Sequence, residues 1–353
     1  MASTGKERAG SLQGAGTTGA TVGRSSSRLE RASVKKSPGY FARSWRRFRR
    51  NTLSMISMVV FVLIVLFAFG APLIARFVSK QDYQTQNLQA TFAKLGETKE
   101  SIQFGGAAGV ARVTNTHWLG SDELGRDVLT RLAYGGRISL TVALLAMLLA
   151  LTMGLLVGAI AGFYGGWVDS ALMRLVDVFL SIPGLFLLIL ISSMFNNNKV
   201  ITQAPLFKTA GWLVLPLVIA SLGWTGISRL IRGEVMAVKS RDYIDAARVL
   251  GSSDSRVIFR HILPNVVHIV IIWATLAIPG LILAEASLSY LGFGVQIPTP
   301  SWGNMLQDGQ RDLLVGAWWM TVFPGLSIFI TVLAFNLMGD GLRDALDPRL
   351  RRR

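Results

Sequence analysis

The chain has 353 residues, 51% of them hydrophobic and 16% charged, with a net charge of +16 and a mean hydropathy of +0.46. This composition excludes an ordinary soluble globule and describes a polytopic membrane protein. The chain has no cysteine, which excludes disulfides, thiol catalysis and Cys-ligated metals. The charge is unevenly placed: residues 1–50 hold 12 Lys/Arg against Glu7 and Glu30, so +10 of the +16 lies in the tail. Beside a membrane, such a bias marks the cytoplasmic side more readily than a nucleic-acid partner.

Residues 1–38 are rich in Gly, Ser, Thr and Ala and bury too little apolar surface to offset ordering entropy, so a disordered basic tail is expected. Residues 39–52 carry Tyr40, Phe41, Trp45 and Phe48 among arginines, suited to an interfacial helix on an anionic lipid surface. The uncharged run at 53–74 is long enough to cross about 30 Å of hydrocarbon and too long for a cleaved signal core. The first transmembrane segment is assigned to 53–78, with the N-terminus inside.

Residues 79–137 form the expected external loop; 79–136 hold six basic and six acidic residues. The loop closes on His117-Trp118-Leu119-Gly120-Ser121-Asp122-Glu123-Leu124-Gly125-Arg126-Asp127, followed by Gly135-Gly136-Arg137-Ile138-Ser139-Leu140. His117, Asp122, Glu123 and Asp127 could be argued as metal ligands, but pairing of these carboxylates with Arg126 and Arg131 is the simpler expectation. A second span is expected at 138–168. Its Gly154, Gly158, Gly162 and Gly166 recur every four residues, a face that lets helices approach closely. A third span is expected at 175–194, introduced by Arg174 and Asp177 at i,i+3 and by Ser181-Ile182-Pro183. A fourth is expected at 209–228, with Pro216 inside it.

Residues 241–265 are polar between two apolar runs. Residues 243–250 read as a short helix, and Gly251 stands where a helix end favours positive φ. Ser252, Ser253 and Asp254 are candidate caps of a second helix at 255–261, which Pro264 is expected to end. Seven Lys/Arg against four acids between Arg229 and Arg260 place this loop inside. A fifth span follows at 266–284, with Pro279-Gly280 a potential kink and Glu285 at its end. A sixth is expected at 313–339, and residues 341–353 form a cytoplasmic tail.

Asp245-Ala246-Ala247, then Gly251, then His261-Ile262-Leu263-Pro264 resembles the cytoplasmic coupling loop of bacterial ABC-importer permeases, with Asp245 for the usual Glu and His261 for the first Ile. The H-x-L-G-x-D-x-x-G-R-D block, the M-R-x-x-D-x-x-x-S-I-P pattern and 284–303 resemble the "C"-type permeases of the dipeptide/oligopeptide/nickel group. The likeness covers 43–349, and Ser121 stands where relatives carry Thr. It implies an all-α, type I importer fold of six transmembrane helices, with a five-helix core at 138–340 and a coupling loop at 229–265. It also implies two ATPase subunits that bind ATP and Mg, a second homologous permease subunit and an extracytoplasmic substrate-binding protein, in a bacterial or archaeal plasma membrane with both termini inside. The chain itself has no G-x-x-x-x-G-K-[ST] phosphate loop, so neither an ATPase site of that kind nor a cofactor is expected in it. Asp245, Ala246, Ala247, Gly251, Ile262, Leu263 and Pro264 are then the coupling residues. Arg174, Asp177 and Glu285 are candidates for gating or translocation. A secondary transporter or channel using Asp177 and Glu285 is the alternative. A membrane enzyme is disfavoured because the only histidines are His117, His261 and His268, with no metal-spaced motif. Peptide, nickel complex and oligosaccharide remain open as substrate.

Overall fold

The computed structural model describes residues 45–104, 110–198, 203–205, 207 and 210–346. The expected disordered tail and the last residues of the C-terminal tail lie outside them. Helix α1, Thr52–Phe69, starts where Asn51 accepts from the N–H groups of Leu53 and Ser54, and it stops at Gly70. The span is therefore shorter than 53–78. Pro72 has no N–H to extend the ladder, and the chain continues through a π-turn at Ile74–Ser79.

The polar loop contains two strands, β1 (Glu97–Phe104) and β2 (Val110–His117), paired antiparallel from Glu97↔His117 to Phe104↔Val110. These strands depart from an all-helical reading of the chain. Helix α2, Val128–Tyr164, begins ten residues before the expected second span, capped by Asp127 on the Thr130 N–H. Arg131 does not end the helix because it is buried beside Asp122 and Asp308. Asp122 pairs with both Arg126 and Arg131, as the sequence leads one to expect.

The third span is not one straight helix. α3 (Gly166–Ser181) and α4 (Gly184–Asn197) meet at 91° across Ile182 and Pro183, because the residue before a proline is driven to extended backbone, and Ile182 has φ −99°, ψ 133°. Helix α5, Val214–Lys239, carries its helical path eleven residues past the expected end at Ser228. Helix α6, Asp242–Val249, is the short helix expected there.

Pro264 does not end the next helix. Residues Asp254–Tyr290 run continuously, with a π-turn at Val257–Ile262 leading into α7, Leu263–Tyr290. A proline ring clashes with the carbonyl four residues back, here Arg260, and the widened turn around Arg260 takes up that crowding. Ser253 stands at the start of this helix without a side-chain capping bond. Helix α8, Trp302–Asp312, follows Pro300 and Ser301. It opens with a capping box between Ser301 and Asn304. Helix α9, Trp319–Leu346, is the last span and begins six residues later than expected, after the left-handed Gly316.

Among the described residues, five helices are long and apolar enough to cross a membrane, six if the bent α3–α4 pair is one span. α2 and α5 form the most intimate pair. A Cβ on Gly154, Gly158 or Gly162 would run into α5, at Ile227, Ser228 and Val235 respectively, so this glycine ladder seats one helix on the other. Gly166, the fourth rung, faces open space at φ +53° and serves the turn into α3 instead.

Candidate coupling surface

Helix α6 forms locally for simple reasons. Asp242 and Asp245 lie in its first turn and Arg248 in its last, which complements the helix dipole. It ends in a Schellman motif: the Ser252 N–H donates to the Ala247 carbonyl at 3.0 Å and the Gly251 N–H to Arg248 at 2.9 Å. Gly251 has φ +81°, which a residue with a Cβ adopts only with strain.

One face of the hairpin is anchored. Ile244, Val257 and Ile262 are fully buried with Ala159 and Phe163 of α2 and with Ile227, Ile231 and Val235 of α5. Lys239 donates through Nζ to the Phe163 carbonyl at the end of α2, and the Arg248 guanidinium lies 5.4 Å from the Phe163 ring centroid. α3 is tied to the same body through ion pairs of Asp169 with Arg232 and Asp177 with Arg229. Arg232 grips Asp169 with two nitrogens, the Nη2–Oδ2 bond at 2.6 Å.

The opposite face is bare. Val249 is 87% exposed and Leu250 85%, and Tyr243 and Phe259 are exposed as well. Asp245, Ala246, Gly251 and Pro264 share this exposure, Ala247 and Leu263 are half-buried, and Ile262 belongs to the anchor. The family pattern drew attention to the small residues and the turn. It passed over Val249 and Leu250, although an apolar pair directly before a turn glycine in a polar loop is a readable signal.

The gating candidates separate. Asp177 bonds Arg229 on α5 rather than Arg174 three residues away, and Arg174 is exposed with no ion pair among the described residues. Glu285 is not at a helix end but wholly buried within α7. It accepts from Ser289 Oγ at 2.8 Å, with Ser139 of α2 and Ser301 at the start of α8 beside it. Ser289 Oγ in turn accepts from the Val295 N–H at 3.1 Å.

A second charged group lies at the junction of the polar loop with α8. Burial, with Glu123, Asp122 and Asp308 near it, pushes the Asp312 carboxyl up to about 6. A carboxyl raised in the folded state favours folding below its ordinary pKa near 3.8, and that contribution is lost as pH rises to about 6. D312N is therefore expected to raise the thermal midpoint of the purified chain at pH 7 and to leave it unchanged near pH 4. Equal midpoints for D312N and wild type at pH 7 would overturn this.

An apolar multi-helix body bearing an anchored, bare-tipped hairpin is a membrane component. Comparison with known proteins agrees on the class. Residues 154–352 match the family described as binding-protein-dependent transport system inner membrane component, and residues 39–92 match the N-terminal TM domain of oligopeptide transport permease C. The dipeptide transport system permease protein DppC of Bacillus subtilis (strain 168) is 37% identical over 324 residues, covering 92% of this chain and 90% of that protein. The oligopeptide transport system permease protein OppC of Escherichia coli (strain K12) is 39% identical, covering 86% and 89%. The glutathione transport system permease protein GsiD of Escherichia coli O6:K15:H31 is 36% identical, covering 87% and 90%. The chain belongs to the family of binding-protein-dependent transport system inner membrane components. It is a multi-pass permease component of an ABC transporter, not a catalytic subunit.

Proposed function

We propose that this chain is one of two permease subunits of an ATP-driven importer of short peptides, working by alternating access. The bare tip at Val249 and Leu250, on a hairpin anchored to α2 and α5, carries the reading: two large aliphatic side chains in water are stabilised only by a partner surface. That partner is one of two ATPase subunits, which bind ATP and Mg. Asp245, Ala246, Ala247 and Gly251 let the partner approach closely and set the angle of approach. Ile262, Leu263 and Pro264 pass its movement into α7. Asp177, through Arg229, draws α3 along with α5, and Arg174 at the exposed side of α3 is the gating candidate. Glu285 holds α2, α7 and α8 together as a block.

A second related permease completes the translocation path, and an extracytoplasmic binding protein delivers substrate to the side bearing the β1–β2 hairpin. Both termini and α6 then lie in the cytoplasm of a bacterial or archaeal cell. The peptide class follows the relatives, whose names specify dipeptide, oligopeptide and glutathione transport. The test is a mild-detergent pull-down of the tagged chain from its native membranes. Co-purification of a second permease with two ATPases, and peptide-stimulated ATP hydrolysis by the complex, is expected. Recovery of this chain alone, even after crosslinking, would favour a self-sufficient transporter or channel instead.

A further inference from the structure

A cleft of about 460 Å³ opens where α1 ends and α2 begins. Phe69, Tyr83, Tyr134, Trp212 and Arg137 line it, with Thr141 one turn deeper along α2. These residues come from separate segments: the end of α1, the polar loop, α2 and the turn before α5. Arg137 is exposed and makes no ion pair among the described residues. The carboxylate of the adjacent Asp82 accepts from the Tyr83 backbone N–H at 2.9 Å, and the Tyr83 and Tyr134 rings meet at a tilt of 41° with centroids 4.7 Å apart. An unpaired guanidinium ringed by Tyr and Trp at the ends of spanning helices is the arrangement that suits a phosphate headgroup at the external membrane–water boundary.

Two apolar stripes lead from this cleft toward the membrane interior. On α1, Phe69, Leu66, Val62 and Val59 follow helical spacing and are all exposed. On α2, Leu144 and Leu148 continue the face of Arg137 and Thr141, and both are exposed. Phe69 at the end of α1 and Arg137 on α2 line the same cleft, and Gly136 of α2 lies against Ala68 of α1, so both stripes start there. A soluble peptide would have no use for two hydrocarbon-lined stripes below its charged group. An amphiphile with a phosphate head and acyl tails matches both parts.

We infer that the α1–α2 cleft is a binding site for an anionic phospholipid, its phosphate held by Arg137 and the tyrosine hydroxyls and its acyl chains lying along the two stripes. Guanidinium suits phosphate because it offers paired N–H donors in one plane. The site is independent of the transport reading above.

The full-length chain, purified in mild detergent and reconstituted, would be photocrosslinked with phosphatidylglycerol bearing a diazirine on one acyl chain. Adducts are expected on Val59–Leu66 side chains of α1 and on Leu144 or Leu148. R137Q should lower their yield about tenfold, as loss of a charge-assisted hydrogen bond implies, while adducts near the basic segment at 45–50 stay unchanged. R137K, which keeps the charge, should retain part of the yield and controls for misfolding. Equal α1 and α2 adducts in wild type and R137Q would overturn the site. So would equal labelling by a phosphatidylcholine probe, or loss of the adducts on adding inorganic phosphate alone, which would mean that only the anion is recognised.

Discussion

V249D/L250D is expected to abolish peptide uptake while leaving the chain inserted and folded. Both side chains are almost fully exposed on this chain, so their replacement should change its stability by no more than about 0.5 kcal/mol. In the assembled importer each aliphatic group would be covered by the ATPase, which stabilises the contact by about 1.5–3 kcal/mol per side chain. Losing both weakens docking on the order of 100-fold or more, before counting the cost of two desolvated carboxylates. Membrane insertion, the size-exclusion profile and peptide-stimulated ATP hydrolysis separate the two levels. G251P is a sharper second probe, because proline is locked near φ −65° and this turn needs +81°. Its hairpin should leave the docking angle with the spans intact. Normal coupled hydrolysis and uptake in both variants would remove α6 as the point of contact.

G158L should be the most damaging single change within the spans. A Cβ there already meets the Ser228 carbonyl oxygen at 2.5 Å, Ile231 Cβ at 2.9 Å and the Arg232 nitrogen at 3.1 Å. Two of those atoms are backbone and cannot turn aside, so α2 and α5 must separate. Overpacking of that kind costs about 3 kcal/mol or more. Little folded protein is expected in membranes, with a thermal midpoint well below wild type in whatever is recovered. G233A on α5 is the control: nothing lies within 4 Å of its Cβ, so it should be neutral or stabilising by up to about 1 kcal/mol. Equal midpoints for G158L and wild type would refute the close α2–α5 seat.

Particular residues explain how much of this was readable beforehand. The spans were legible because uncharged runs of some twenty residues have few other uses. Their ends were not, because charge was taken as a stop signal. Arg131 and Arg229 sit inside helices that satisfy them, Arg131 with the nearby Asp122 and with Asp308, and Arg229 with Asp177; Asp308 and Asp177 are far away in sequence. The turn at Gly251 was legible from one residue's backbone preference. Pro264 misled, since a proline ends a helix only when the turn before it cannot widen. Pro183 is visible as part of a motif, and the 91° bend before α4 comes from the extended backbone it imposes on Ile182. The docking residues split the same way: small and turn residues were visible as a pattern, whereas the exposure of Val249 and Leu250 needed the fold.

The unbroken helix from Asp254 to Tyr290 has a mechanical implication. Its 37 residues, with the π-turn at Val257–Ile262 and Pro279 inside them, extend about 55 Å, one end beside the bare tip and the other bearing Glu285 and Ser289, the latter close against Gly303 of α8. A hinged joint at Pro264 would have absorbed a push at the near end within the first turn. A continuous lever arm instead magnifies it, so a tilt of about 5° carries the far end roughly 5 Å. In the importer proposed above, a small rearrangement at the bare tip would reach the far end of this helix as a displacement comparable to the width of a side chain.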